Sequence, residues 1–178
     1  MVFWMFVFYS FGGYLLEKAF AAATASPQQV RKCLLLLPLC PVYGLGMLAV
    51  LALPEAWMDT VWKLGAVGAL AVTAVEFAVH WLYDKLLGVR FWDYSPVRGD
   101  IAGRVCLPFS VIWGVLIVVT VRFVHPWVVW LAAALPPQLT YAVALVLTAD
   151  AILSAQVLRR GGDVALMSVK KLLQSLET

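Results

Sequence analysis

Three acids interrupt long apolar runs in this chain: Glu17, Glu76 and Asp150. A charge at the centre of a bilayer costs ~2.5–3.5 kcal/mol even on the most forgiving scale. Burial disfavours a carboxylate, and a nearby cation or a bound proton relieves it. Such acids are therefore expected to face a protein interior, either protonated or paired, and intramembrane ionisable groups mark functional sites by default. Lys18 cannot share a helix face with its neighbour Glu17, so Arg104 and Lys85 are the expected partners. Glu76, His80 and Asp84 recur four residues apart and line one helix face. Glu76 and His80 have the donor types of a zinc or iron site. The chain has only two histidines, however, and His125 is predicted at the opposite membrane face. No metal or other cofactor is assigned.

Two further constellations hold polar chemistry. Cys40-Pro41-Val42-Tyr43-Gly44 puts a thiol and a phenol at a predicted helix break, where freed backbone groups could bind a polar solute. The stretch Val89 to Trp113 is a polar island containing Arg90, Asp93, Arg98, Asp100 and Arg104 among Phe91, Trp92 and Tyr94. Trp92-Asp93-Tyr94-Ser95-Pro96 reads as a turn in which Asp93 or Ser95 bonds nearby backbone N–H groups. It serves either as an interfacial anchor or as a lid. Arg104 is expected to lie across it, with Glu17 and Glu76 converging beneath. No Ser/His/Asp arrangement for nucleophilic catalysis is visible, and the odd count of three cysteines without CxxC spacing argues against disulfides and zinc.

The elements that must position these groups are membrane helices. Of 178 residues, 63% are hydrophobic and 13% charged. A soluble chain has about 45–50% and ~25%, so lipid must solvate most of the surface. The net charge of +3 gives no nucleic-acid surface. Apolar runs of about the ~20 residues that cross a bilayer occur near 2–23, 33–53, 60–83, 105–123 and 138–158. The second is broken by Pro38 and Pro41. His125-Pro126 is expected to end the fourth, leaving 127–135 as an interfacial segment with two Trp. The expected fold is all-α: a polytopic membrane bundle of about five helices over 1–158, then a cytoplasmic amphipathic helix over 159–178. Ten of the 13 Lys and Arg residues fall on one side (Arg31, Lys32, Lys85, Arg90, Arg98, Arg104, Arg159, Arg160, Lys170, Lys171). The positive-inside rule then puts the N-terminus outside and the C-terminus in the cytoplasm of a multi-pass cell-membrane protein.

The order SFGGYLLEK near the start, CPVYG at 40–44, WDYS at 92–95, GRVCL at 103–107 and WG at 113–114 resembles the bacterial ABC-transporter type IV (CmpB-like) integral membrane permeases. The resemblance implies a permease-like or transporter-associated subunit for a small solute. The reading of the residues given above supplies the candidate substrate-binding set, at a polar site on the cytoplasmic side of the bundle: Glu17, Cys40, Tyr43, Glu76, His80, Trp92, Asp93, Tyr94, Ser95, Arg104 and Asp150. The chain lacks a GxxxxGK[ST] loop, so ATP hydrolysis would come from a separate ATPase. Five helices make a thin wall for a translocation path, which implies a homo-oligomer or other membrane subunits besides the surrounding lipids. The competing reading is a membrane-embedded enzyme on a lipid-like substrate, with Glu17 as acid, Arg104 as anion clamp and Tyr94 as proton donor.

Overall fold

The structure, a computed structural model, describes residues 1–24 and 35–161, apart from the side chains of residues 160 and 161. Most of the amphipathic tail, from residue 162, and most of the first connection, Thr24 to Lys32, lie outside the described residues, while 159–161 continue helix α6. The rest is the expected all-helical bundle. The described residues form helices α1 (Val2–Ala23), α2 (Pro41–Leu51), α3 (Val61–Leu87), α4 (Leu107–Val119), α5 (His125–Ala134) and α6 (Pro137–Gly161), with one two-stranded hairpin between α3 and α4. Three helical stretches are long and apolar enough to cross a membrane: Val61–Leu87, Leu107–Ala134 and Pro137–Arg159.

The second apolar run departs most from a simple span. Residues 35–38 are bent, and helix begins only at Pro41, which occupies its first turn. A proline is tolerated there because the first-turn N–H has no helical acceptor. The 11-residue helix is about 16 Å long at 1.5 Å per residue, too short to cross a ~30 Å hydrocarbon layer. The predicted break is present, but it shortens the helix rather than kinking a full span.

The fourth run corrects the expectation in the other direction. His125-Pro126 does not end it, and 127–135 is not a separate interfacial segment. Helix continues from Leu107 to Ala134 through a π-helical stretch, Thr120–Val124, where the His125 N–H donates to the Thr120 carbonyl. Pro126 brings a ring that clashes with the carbonyl four residues back. The wider π turn just before it makes room, so the helix survives its proline.

Helices α1, α2, α3 and α4 pack consecutively as an arc, and α5 returns onto α1. Glycines set the close contacts. A side chain at Gly114 would meet the Gly65 carbonyl at 3.0 Å, and one at Gly68 would run into Ile117. The main core lies around Tyr9, Met47, Val50, Leu64, Val72, Ile117 and Val128. Thr60 caps the start of α3, accepting from the Lys63 N–H, and left-handed Gly88 (φ 67°) ends it. The hairpin pairs β1 (Asp100–Ile101) with β2 (Val105–Cys106), Asp100 opposite Cys106. Ala102 and Gly103 turn it with φ of 56° and 67°, the left-handed pair of a tight hairpin turn.

Candidate functional site

The arc encloses a cavity of about 230 Å³ at the end of the bundle closed by the polar island. On its α1–α2 side, Gly13 leaves no side chain where the Tyr43 ring lies, and Cys40 N–H donates to the Ser10 carbonyl at 2.8 Å. Tyr43 therefore rests on α1 one turn before Glu17 and donates its hydroxyl to Glu17 Oε1 at 2.8 Å. On the α3–α4 side, Glu76 is 4% exposed. Its Oε1 accepts from the Tyr94 hydroxyl at 3.0 Å and its Oε2 from the Trp113 indole at 2.9 Å. The Tyr43 and Trp113 rings meet edge-on, 5.0 Å between centroids, linking the two halves. Cys40, buried at the start of α2, lines the same space.

The island closes the cavity by alternation. Successive side chains of an extended chain point to opposite sides. Trp92 and Tyr94 line the cavity, while Asp93 and Ser95 are exposed. Ser95 donates its N–H and hydroxyl to Asp93 Oδ1 at 2.9 and 2.6 Å, and those bonds hold the Asp93 carboxyl below its usual range. The turn sits against Gly103, where a side chain would meet Ser95 Oγ and Asp93 Oδ1 at 2.6 and 2.7 Å. Trp92 is fixed at both ends. Its indole donates to the Arg104 carbonyl, and its own carbonyl accepts from His80 Nε2, both at 2.9 Å. His80 thus positions Trp92 from behind, its Nδ1 buried without a hydrogen-bond partner among the described residues. Burial, and after it the Glu76 carboxylate, push the Tyr94 phenol above its ordinary range, so it donates at neutral pH.

Of the residues singled out in the sequence, Glu17, Cys40, Tyr43, Glu76, Trp92 and Tyr94 line one cavity. Two expectations are corrected. Arg104 does not meet Glu17 or Glu76. It pairs with Asp84 at 2.9 Å, an acid that also takes Arg90 at 3.2 Å, and its guanidinium lies 5.4 Å from the Phe77 ring centroid. Asp84 sits two turns beyond Glu76 on the same helix, 22% exposed at its side chain. A guanidinium there keeps part of its hydration, which it would lose beside Glu76. Asp150 is also remote from the cavity lining. Its two oxygens accept from the backbone N–H groups of Leu36 and Leu37 at 3.1 and 3.0 Å, and Ser154 donates to it at 3.3 Å.

Residues 4–156 match the family described as "Putative ABC-transporter type IV". The chain belongs to that family. No curated protein and no solved structure matches the chain. With its apolar helices, membership in the ABC-transporter type IV family makes this a membrane, transporter-related protein. The match spans every residue of the cavity lining.

Sequence reasoning missed Trp113, whose indole holds Glu76, and the apolar rim of Leu16, Phe20, Ile112 and Leu116. Trp113 had a signal, an aromatic donor within an apolar helix beside Gly114. The rim had none, because a leucine facing a cavity mouth and one facing lipid read alike. Among the described residues, no group of three or more His, Cys, Asp or Glu could hold a metal ion.

Proposed function

We propose that this chain is a permease-like or transporter-associated subunit that holds a small solute in the cavity between α1, α2, α3 and α4. The observation that carries the reading is the placement of Glu17 and Glu76, from separate helices, on one cavity. Two acids in an apolar bundle are costly, and a polar ligand gives that cost a purpose. The chain works as a multi-pass cell-membrane protein with its N-terminus outside, in an oligomer or with other membrane subunits, and draws on a separate ATPase. Cysteines introduced at Glu55 and Arg98 should label from opposite sides of the membrane; labelling from one side refutes this orientation.

The enzyme reading loses its anion clamp, since Arg104 is engaged with Asp84. Ile112 lies at the exposed rim, so Ile112→Trp should plug the mouth without disturbing the fold. Native mass spectrometry of the purified protein should then find a small co-purified solute on the wild type and not on the variant. An equal adduct on both proteins would place the solute site elsewhere.

A further inference from the structure

A solute has three routes into the cavity, and the described residues shut two of them. We infer that the solute is a small amphiphile dissolved in the membrane, an apolar chain ending in a hydrogen-bond-donating head, which enters sideways between α1 and α4; the inference rests on the solute-site reading above.

The island end is shut by backbone as well as side chains. Trp92 is pinned between the Arg104 carbonyl and His80. The Tyr94 N–H donates to the Gly103 carbonyl at 2.8 Å, and the Leu107 N–H to the Gly99 carbonyl at 3.2 Å. The turn, the hairpin and the start of α4 are thus one piece, and opening this end breaks several hydrogen bonds together. The opposite end is filled by the main core, Tyr9, Met47, Val72 and Ile117 among it. There α5 lies on α1, with Tyr9 bonded to His125 at 2.6 Å, and Trp4 of α1 donates to Thr140 of α6 at 2.8 Å.

The third route is the gap between the two ends of the arc. Helix α1 packs on α2 and α4 packs on α3, whereas α1 and α4 have no comparable contact with each other. The Phe20 and Phe109 rings meet edge-on across the gap, 6.2 Å between centroids. Parting two rings gives up no hydrogen bond, so this is the side that opens at least cost. Leu16, Phe20 and Ile112 form its rim, each close to half exposed. Exposed Leu15 on α1 and exposed Val111 and Val115 on α4 continue the apolar surface on either side. On a membrane helix such a surface meets acyl chains, because lipid is its solvent. The cavity therefore communicates with the bilayer.

The head's chemistry follows from Glu17. Both oxygens of Glu76 already accept, from Tyr94 and Trp113. Glu17 accepts one bond among the described residues, from Tyr43 to Oε1, and it lines the cavity beside the rim. Ionised or protonated, a carboxyl keeps acceptor capacity beyond one such bond. A donor on the solute completes it in either form. At about 230 Å³ the cavity is below the ~300–1,000 Å³ usual for drug-sized ligands. It encloses a head and the start of a chain, and the remainder of the chain lies through the mouth in lipid.

The test uses the full chain in phosphatidylcholine nanodiscs. The probe is decanol carrying a photoreactive diazirine near its hydroxyl, and the comparison is its methyl ether, which keeps the oxygen and lacks the donor. Cross-linked peptides are read by mass spectrometry. Exposed Leu145 on α6, outside the cavity lining, measures plain lipid contact. Relative to Leu145, the alcohol should label Ile112 and Trp113 at least about tenfold more than the ether does, a difference readily resolved on the affinity scale. Unlabelled decanol should displace the label at those two residues and not at Leu145. Ile112→Trp, which narrows the mouth, should abolish labelling of Trp113; undiminished labelling there overturns sideways entry. Glu17→Leu should bring the alcohol down to the level of the ether, and a folded variant that keeps the preference overturns the placement of the head. Should that variant misfold, alcohol against ether on the wild type still decides. If the two probes label the mouth equally, or unlabelled decanol displaces neither, the inference fails. Native mass spectrometry then separates it from the solute site. A co-purified solute found on the wild type and absent from Ile112→Trp keeps the site, and no solute on either protein removes both.

Discussion

Glu76 and Asp150 are both acids buried in apolar helices, 4% and 7% exposed, and their surroundings differ in kind. Glu76 is held by side chains, a phenol and an indole arranged around a cavity. Asp150 is held chiefly by backbone, taking the N–H groups of Leu36 and Leu37 where the chain bends before α2. Those two donors lie outside any helix described here, and a buried N–H without a partner is costly. Asp150 supplies acceptors to both, much as a capping residue does at a helix start. An intramembrane acid is therefore not enough to mark a ligand site. The type of donor it meets, and whether a cavity lies beside it, separates the two roles.

The contrast can be broken by two substitutions. Asp150→Ala removes the carboxylate to which both N–H groups donate; a hydrogen bond to a charged group is worth ~1.5–3 kcal/mol, so a loss of about 3–6 kcal/mol is expected on that same scale. It should appear as a lowered melting temperature in detergent, with the cavity's ligand affinity unchanged in whatever fraction stays folded. Unchanged melting together with lost binding would reverse the assignment. Trp113→Phe is expected to do less. It keeps a ring against Tyr43 and removes one hydrogen bond to a carboxylate, which is typically ~1.5–3 kcal/mol. Thermal unfolding should register a smaller fall than in Asp150→Ala, and solute affinity should drop as well. A variant that is destabilised yet binds normally would make Glu76 a structural acid like Asp150.

Much of this architecture is legible in the sequence. Composition requires lipid around most of the surface, apolar runs of ~20 residues require helices across it, and Pro38 with Pro41 requires a break in the second run. Rules on polar groups in lipid bring Glu17 and Glu76 together with Arg104 beneath the Trp92–Ser95 turn, and set Tyr43 apart at a helix break; Glu17, Tyr43, Glu76 and Tyr94 line one cavity and Arg104 does not. Three features were not legible, each for a physical reason. Arg104 had two acids in reach on one face of α3, and the spacing of Glu76 and Asp84 could not say which kept more hydration. Asp150 answers a backbone need created more than a hundred residues earlier, which no local pattern encodes. Pro126 signalled a stop, because the proline rule presumes a regular α-helical ladder and sequence does not announce a π turn.

That π turn also fixes an angle. Each residue of an α-helix advances its side chain by about 100°, and a π turn contains one residue more than the α ladder would use. Everything from His125 onward is thus rotated relative to the face that α4 presents. In this rotated setting His125 Nδ1 shares a 2.6 Å hydrogen bond with the Tyr9 hydroxyl of α1, and α5 packs on α1. The number of residues between Thr120 and Val124 acts as a rotational coordinate: removing one would leave a rod of nearly the same length that turned a different side of α5, without His125, toward α1.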